Sequence, residues 1–125
     1  MAKKRLHSVY ITKGLYEIIY YLMEREEITK IVFVSRAIRY FMAEKRILDY
    51  QTLIRKKSDP DYIKRDKQFV FHIDPELKQQ VLDFAEQYNE THVEQCNPSQ
   101  CFFQILVEYC AYLIQARPDG IVDNK

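Results

Sequence analysis

One pattern is written twice along this chain, and that repetition constrains the fold more than any other feature. A short alternating segment leads into an amphipathic stretch, then a capped break, then a second amphipathic stretch. The first copy opens with Leu6, His7, Ser8, Val9, Tyr10, Ile11 and Thr12, and the second with Gln68, Phe69, Val70, Phe71, His72, Ile73 and Asp74. Leu6, Ser8, Tyr10 and Leu15 map onto Gln68, Val70, His72 and Leu77 at an offset of 62. Thr29, Val34, Ile38 and Phe41 map onto Asn97, Phe102, Leu106 and Tyr109 at an offset of 68. Six extra residues therefore stand between the helices of the second copy, and Glu90 to Gln95 is the expected place for them. A lone strand leaves backbone N–H and C=O groups without partners. Two strands in one polypeptide can satisfy each other by pairing.

Alternation in the opening segments is the period-two signature of a half-buried strand. Val9, Ile11, Phe69, Phe71 and Ile73 form the expected inward set, with His7 in register with Phe69. Leu6, Ser8, Tyr10, Gln68, Val70 and His72 then face outward. A slip of one residue would exchange the two faces, and the alternation is least regular around Leu6, His7 and Tyr10. Thr12 sits at an N-cap position, and Leu15, Ile18, Ile19 and Leu22 predict a helix from about Lys13 to Glu26. Thr29 caps a second helix carrying Ile31, Val34, Ile38, Phe41 and Met42. In the second copy Asp74-Pro75 and Asn97-Pro98 repeat one device, a cap followed by proline where a missing N–H costs nothing. Leu77, Val81, Phe84, Ala85 and Tyr88 mark a third helix. Phe102, Ile105, Leu106, Tyr109 and Leu113 mark a fourth, ended by Arg117, Pro118, Asp119 and Gly120.

The expected fold is mainly α with one short antiparallel β-ribbon, in a single domain over residues 1–125. Residues 6–43 form the first motif, 44–67 a charged and partly helical connector, 68–117 the second motif and 118–125 a tail. Within the connector Ile47, Leu48, Tyr50, Leu53 and Ile54 keep near-helical spacing, which extends the second helix or adds a short one. Two glycines and four prolines in 125 residues favour long helices over a loop-rich fold. No apolar run approaches the ~18 residues of a membrane span. The basic start Met1 to Arg5 is not followed by the apolar run of a secretory signal. Three cysteines, odd in number and clustered late, do not look like a disulfide framework. A cytoplasmic protein is expected.

A net charge of +1 hides an asymmetry. Residues 1–67 carry 16 Lys and Arg against 9 Asp and Glu, whereas residues 68–125 carry 3 against 9. A basic half beside an acidic half is compatible with phosphate binding, which depends on the local field. It is equally what solvated helix faces look like.

Strand, helix, capped turn and helix, over some 40 residues, resembles the ribbon-helix-helix family of the MetJ, Arc and CopG type. The sharpest match is Ile28-Thr29-Lys30-Ile31-Val32-Phe33-Val34-Ser35-Arg36-Ala37-Ile38-Arg39-Tyr40-Phe41, a hydrophobe and a cap followed by an Ala-Ile pair and a later aromatic. The second copy has Cys96-Asn97-Pro98-Ser99-Gln100-Cys101-Phe102 and onward in the same places. The resemblance covers residues 6–43 and 68–114. It implies two ribbon-helix-helix motifs forming an intramolecular pseudo-dimer. Such tandem chains are similar to regulators of archaeal filamentous viruses and to relaxosome accessory proteins of F-type conjugative plasmids. Double-stranded DNA is the implied partner, with transcriptional regulation as the implied role and a relaxosome or partition accessory role as the alternative. A third reading is a protein-interaction module, in which the acidic second half binds another protein. Self-association of two chains on DNA would let them read a longer operator.

A two-stranded ribbon fits the major groove and presents one face to base edges. That makes Ser8, Tyr10, Gln68, Val70 and His72 the candidate base-reading residues. Gln can bond adenine bidentately and Val can meet a thymine methyl. The chain departs from the family in placing apolar Leu6 and Val70 on this face. In the family the start of the second helix points at a phosphate, where N–H groups and the helix dipole favour an anion. Thr29 and Lys30 then make one clamp; Asn97 and Ser99 make a second with no cation adjacent. Lys3, Lys4, Arg5 and Lys13 surround the first strand as further phosphate contacts. His92, Cys96 and Cys101 are loosely spaced like metal ligands, but a closed zinc site needs four, so neither metal nor cofactor is expected. No Gly-rich phosphate loop, nucleophile motif or carboxylate pair stands out, and no enzyme is expected.

Overall fold

The computed structural model describes residues 5–45, 48, 53, 58–60, 62–93 and 95–116. Lys3, Lys4, the tail from 118, and Ile47, Tyr50 and Ile54 of the connector lie outside the described residues. The architecture is mainly helical, with one two-stranded antiparallel sheet. Strand β1 (Arg5–Ile11) is followed by α1 (Lys13–Glu26) and α2 (Lys30–Tyr40). Strand β2 (Lys67–Ile73) is followed by α3 (Pro75–Thr91) and α4 (Pro98–Ala116). Helix α2 continues as a single π-helical turn, Phe41–Lys45. Among the described residues no helix is long and apolar enough to cross a membrane.

Each helix begins where a side chain satisfies its first N–H groups. Thr12 accepts from the Leu15 N–H at 3.0 Å and Asp74 from the Glu76 N–H at 2.9 Å. Helix α1 ends at Glu27, which takes a left-handed conformation (φ 56°) and returns its N–H to Glu24 and Met23 carbonyls. A non-glycine residue there costs about 1 kcal/mol, but it turns the chain within three residues to the next cap, Thr29. The six extra residues of the second copy divide between two structures. Helix α3 has 17 residues against 14 in α1, and the rest lengthen the turn before Asn97.

Strands β1 and β2 pair with Ser8 opposite Val70, Leu6 opposite His72 and Tyr10 opposite Gln68. His7 faces Phe71, and Phe69 faces Val9. His7 takes the inward place that Phe69 holds in the second copy, and in the antiparallel ladder equivalent residues of the two copies meet only at its centre. Alternation holds without a slip. Val9, Ile11, Phe69, Phe71 and Ile73 are buried, and His7 is half-buried between the rings of Phe71 and Phe102, with centroids at 5.4 and 5.0 Å. Burying one such phenylalanine contributes about 1.5–3 kcal/mol.

Beneath the ribbon, α2 packs chiefly on α4. Phe33 meets the Tyr109 ring edge-on at 5.2 Å, and Phe41 meets Phe84 of α3 at 5.4 Å. Buried positions repeat with the sequence: Leu15, Ile19 and Leu22 in α1 answer Leu77, Val81 and Phe84 in α3. Phe33, Val34, Ala37 and Ile38 in α2 answer Cys101, Phe102, Ile105 and Leu106 in α4. The connector also enters the core, with Leu53 buried and Leu48 and Ile63 packed against the same cluster.

Candidate nucleic-acid interface

The outward face of the ribbon is open. Leu6 is 64% exposed and Tyr10 55%. Ser8, Gln68 and His72 are exposed as well, and Val70 is half-buried. At about 3.4 Å per residue, Leu6 to Tyr10 spans roughly 14 Å, comparable with the ~12 Å width of a major groove. Gln68 Nε2 donates to Ser8 Oγ at 3.4 Å, so two of the proposed base-reading groups are already within reach of each other. All five sequence-expected readers, Ser8, Tyr10, Gln68, Val70 and His72, share this one face because side chains of a strand alternate.

Two helix N-termini flank the ribbon. At α2, the exposed Thr29 accepts from the Val32 N–H at 3.4 Å. Lys30 turns away from the helix end: its Nζ donates to the Val70 carbonyl at 2.7 Å and sits 5.3 Å from the ring centres of both Tyr20 and Phe69. Its charge is thus fastened to the outer edge of β2. One of its three N–H groups is used there, and a second hydrogen-bonds the Tyr20 phenol. Lys67 lies 4.5 Å over the Tyr16 ring close by. Burial pushes the Tyr20 phenol up, but hydrogen bonds from Lys30 and Tyr16 and the charges of Lys30 and Lys67 outweigh it, so its pKa falls below the ordinary value.

At α4 the cap is reciprocal. Asn97 Oδ1 accepts from the Gln100 N–H at 2.8 Å, while Gln100 Oε1 accepts from the Asn97 N–H at 2.9 Å. This is a capping box, which satisfies two donors at once. Asn97, Ser99 and Gln100 line a cleft together with Tyr10, Tyr62 and Arg65. Arg65 comes from the connector and lies 5.0 Å from the ring centre of Phe103. Burial lowers its pKa from the usual value, against a raising contribution from Tyr62, and a guanidinium stays charged even so. The expectation that no cation adjoins this second clamp is therefore corrected. The chain brings one in from 32 residues upstream of Asn97.

Of the remaining expected phosphate contacts, Lys13 is exposed at the first position of α1. Arg5 opens β1. Lys3 and Lys4 lie outside the described residues. Sequence reasoning missed Tyr16, Tyr20, Tyr62, Arg65 and Lys67. The basic pair Lys64-Arg65 just before β2 was the signal that could have found one of them.

Beside the α4 cap, Cys96 and Cys101 bring their Sγ atoms to 3.1 Å, both buried. They occupy the positions before the cap and four after it, where a hydrophobic staple packs. Ile28 and Phe33 hold the corresponding positions around Thr29. His92 stacks on Tyr88 at 3.8 Å, and its Nδ1 lies 2.9 Å from Thr91 Oγ1 and 3.0 Å from the Tyr88 carbonyl. Among the described residues no three His, Cys, Asp or Glu side chains gather as a metal site. No protein-family model matches this chain, and neither does any curated protein or any solved structure.

Proposed function

We propose that this chain is a sequence-specific double-stranded DNA-binding protein of the ribbon-helix-helix type, acting as a transcriptional regulator. Its two motifs would fold on each other as an intramolecular pseudo-dimer. The observation that carries the reading is the ribbon itself, with one face buried in the core, the other open, and a helix N-terminus on either side. The register supports the pseudo-dimer. At the repeat offset of 62, Ser8 is equivalent to Val70, and these two residues face each other. A two-fold through that pair exchanges Leu6 with Gln68 and Tyr10 with His72, as the observed cross-strand pairs require.

In this mechanism the ribbon enters the major groove, and Tyr10, Gln68 and His72 meet base edges. The N–H groups at the starts of α2 and α4 hold phosphates on either side. Ser8 opposite Val70 is a polar group opposite an apolar one, so the two half-sites differ and the preferred site is asymmetric. Selection from randomised duplex DNA, followed by a mobility shift against scrambled competitor, tests this. A compact enriched motif that Gln68→Ala weakens is the expected result. Absence of binding at low salt would overturn it.

One observation favours a protein-interaction module instead, the exposed apolar pair Leu6 and Tyr10 on the ribbon face. That reading predicts no retention on heparin or random duplex.

A further inference from the structure

We infer that Cys96 and Cys101 are a reversible dithiol–disulfide pair, which converts the staple at the start of α4 into a covalent one and leaves the start of α2 untouched. The two sulfurs stand 3.1 Å apart, and a disulfide needs about 2.05 Å, so a closure of about 1 Å joins them. The backbone that carries Cys96 is already fixed. Asn89 Nδ2 donates to its carbonyl at 2.9 Å, and its N–H donates to Asn89 Oδ1 at 2.6 Å. The Cys96 thiol also donates to the Asn97 carbonyl at 3.2 Å, which ties the sulfur to the capping residue itself. The first copy has Ile28 and Phe33 in these places and cannot form such a bond. Cys110 is nine residues beyond Cys101, about 13 Å along the helix, and is the internal control.

A low-molecular-weight disulfide is a sufficient oxidant. The Cys96 thiolate attacks one of its sulfurs and expels one thiol as a mixed disulfide forms. The Cys101 thiolate then attacks the Cys96 sulfur and expels the second. Two protein thiols lose two protons and two electrons, and the oxidant is reduced to two thiols. The hydrogen bond with Cys96, and then burial, push the Cys101 thiol well above its ordinary range, while burial pushes the Cys110 thiol up to about 12. Thiolate is the attacking form. Exchange therefore runs through opening of the turn before α4, and the closed turn protects both the reduced and the oxidised state. The consequence for DNA rests on the function proposed above: the bridge pre-organises one phosphate clamp of the two, which lowers the ordering cost of binding.

The test incubates the full chain in a series of oxidised and reduced glutathione, then counts thiols by alkylation in denaturant and maps them by fragmentation. The expected oxidised species is monomeric, two hydrogens lighter, and takes one alkyl group, at Cys110, where the reduced chain takes three. Cys110→Ser should behave as the parent, and Cys96→Ser should give no internal bridge. Should Cys96→Ser fail to fold, Cys96→Ala with Cys101→Ala serves as the second control. Amide exchange in the first turn of α4 should slow by about tenfold on oxidation, with α2 unchanged. A bridge to Cys110, an intermolecular dimer, or retained glutathione with no internal bridge would overturn the proposal. So would slowing at α2 and α4 alike. If the bridge forms and neither state binds random duplex, the redox pair stands and the DNA reading fails.

Discussion

The starts of α2 and α4 occupy equivalent places in the repeat and are held by different chemistry. At α2 a threonine caps at 3.4 Å, and the neighbouring lysine is drawn off to the Val70 carbonyl. At α4 an asparagine and a glutamine cap each other, proline stands in the lysine's place, and an arginine arrives from the connector. Staples differ too, Ile28 and Phe33 against two cysteines. The comparison teaches that backbone geometry, two helix ends beside one ribbon, tolerates wide change in side chains. Where a cation is missing locally, the fold supplies one from elsewhere. The first site is built from local residues plus a tether to the ribbon, and the second depends on how the connector is laid down.

The largest effect should come from breaking the staple positions themselves. Phe33→Ala removes a fully buried ring between α2 and Tyr109 and should cost about 3–5 kcal/mol in urea denaturation. Cys101→Ala, at the equivalent position, should cost only about 1 kcal/mol. Equal losses would deny that the first copy carries more of the core at this point.

On the ribbon, Gln68→Ala should weaken the selected DNA site by about 1–3 kcal/mol and leave random duplex unchanged. Ser8→Ala, facing apolar Val70, should do less; quantitative mobility shifts separate the two. At the caps, Asn97→Ala should destabilise by about 1–2 kcal/mol because it breaks a reciprocal pair, and Thr29→Ala by about 0.5–1 kcal/mol. If Thr29→Ala proves the costlier by thermal unfolding, the reciprocal cap contributes no more than a single one.

Arg65→Ala should weaken DNA binding uniformly across sequences and lower the slope of log affinity against log salt by about one. An unchanged slope would place the α4 cleft off the DNA path. The smallest effect is a pH dependence that turns on His7. Burial, and then the charge of Lys78, hold the His7 pKa below its ordinary 6.5. The folded state therefore favours neutral imidazole. Stability is fully present above pH 6.5 and is lost as pH falls through that value toward the lowered folded one. His7→Phe places in β1 the residue type that the second copy already has at Phe69. It should remove this acid sensitivity, checked by urea midpoints at neutral and mildly acidic pH.

Much of the fold was legible. Thr12, Thr29, Asp74 and Asn97 announced four helix starts, and strict alternation at Phe69, Phe71 and Ile73 fixed which face of the ribbon is buried. These signals are local, set by caps and by periods of 2 and 3.6 residues. The repeat offset expects all the extra length of the second copy between its helices, yet part of it lengthens α3 through Glu90 and Thr91; that division was not legible, because Thr91 and its neighbours are polar and carry no period. Leu53 stood out in the connector by its near-helical spacing, but the spacing did not say that it enters the common core.

The candidate site shows the same boundary. Ser8, Tyr10, Gln68, Val70 and His72 share a face by alternation alone, so the sequence determined that set. Only the tertiary structure decided that Lys30 leaves its helix end for the ribbon edge, 40 residues away, and that Arg65 joins Asn97 and Ser99. Such pairings depend on which elements pack together, and a long flexible cation takes whichever acceptor the packing leaves within reach. The physical reason is that periodicity specifies the environment of a residue along its own element, whereas contacts between distant elements follow from the shape of the common core.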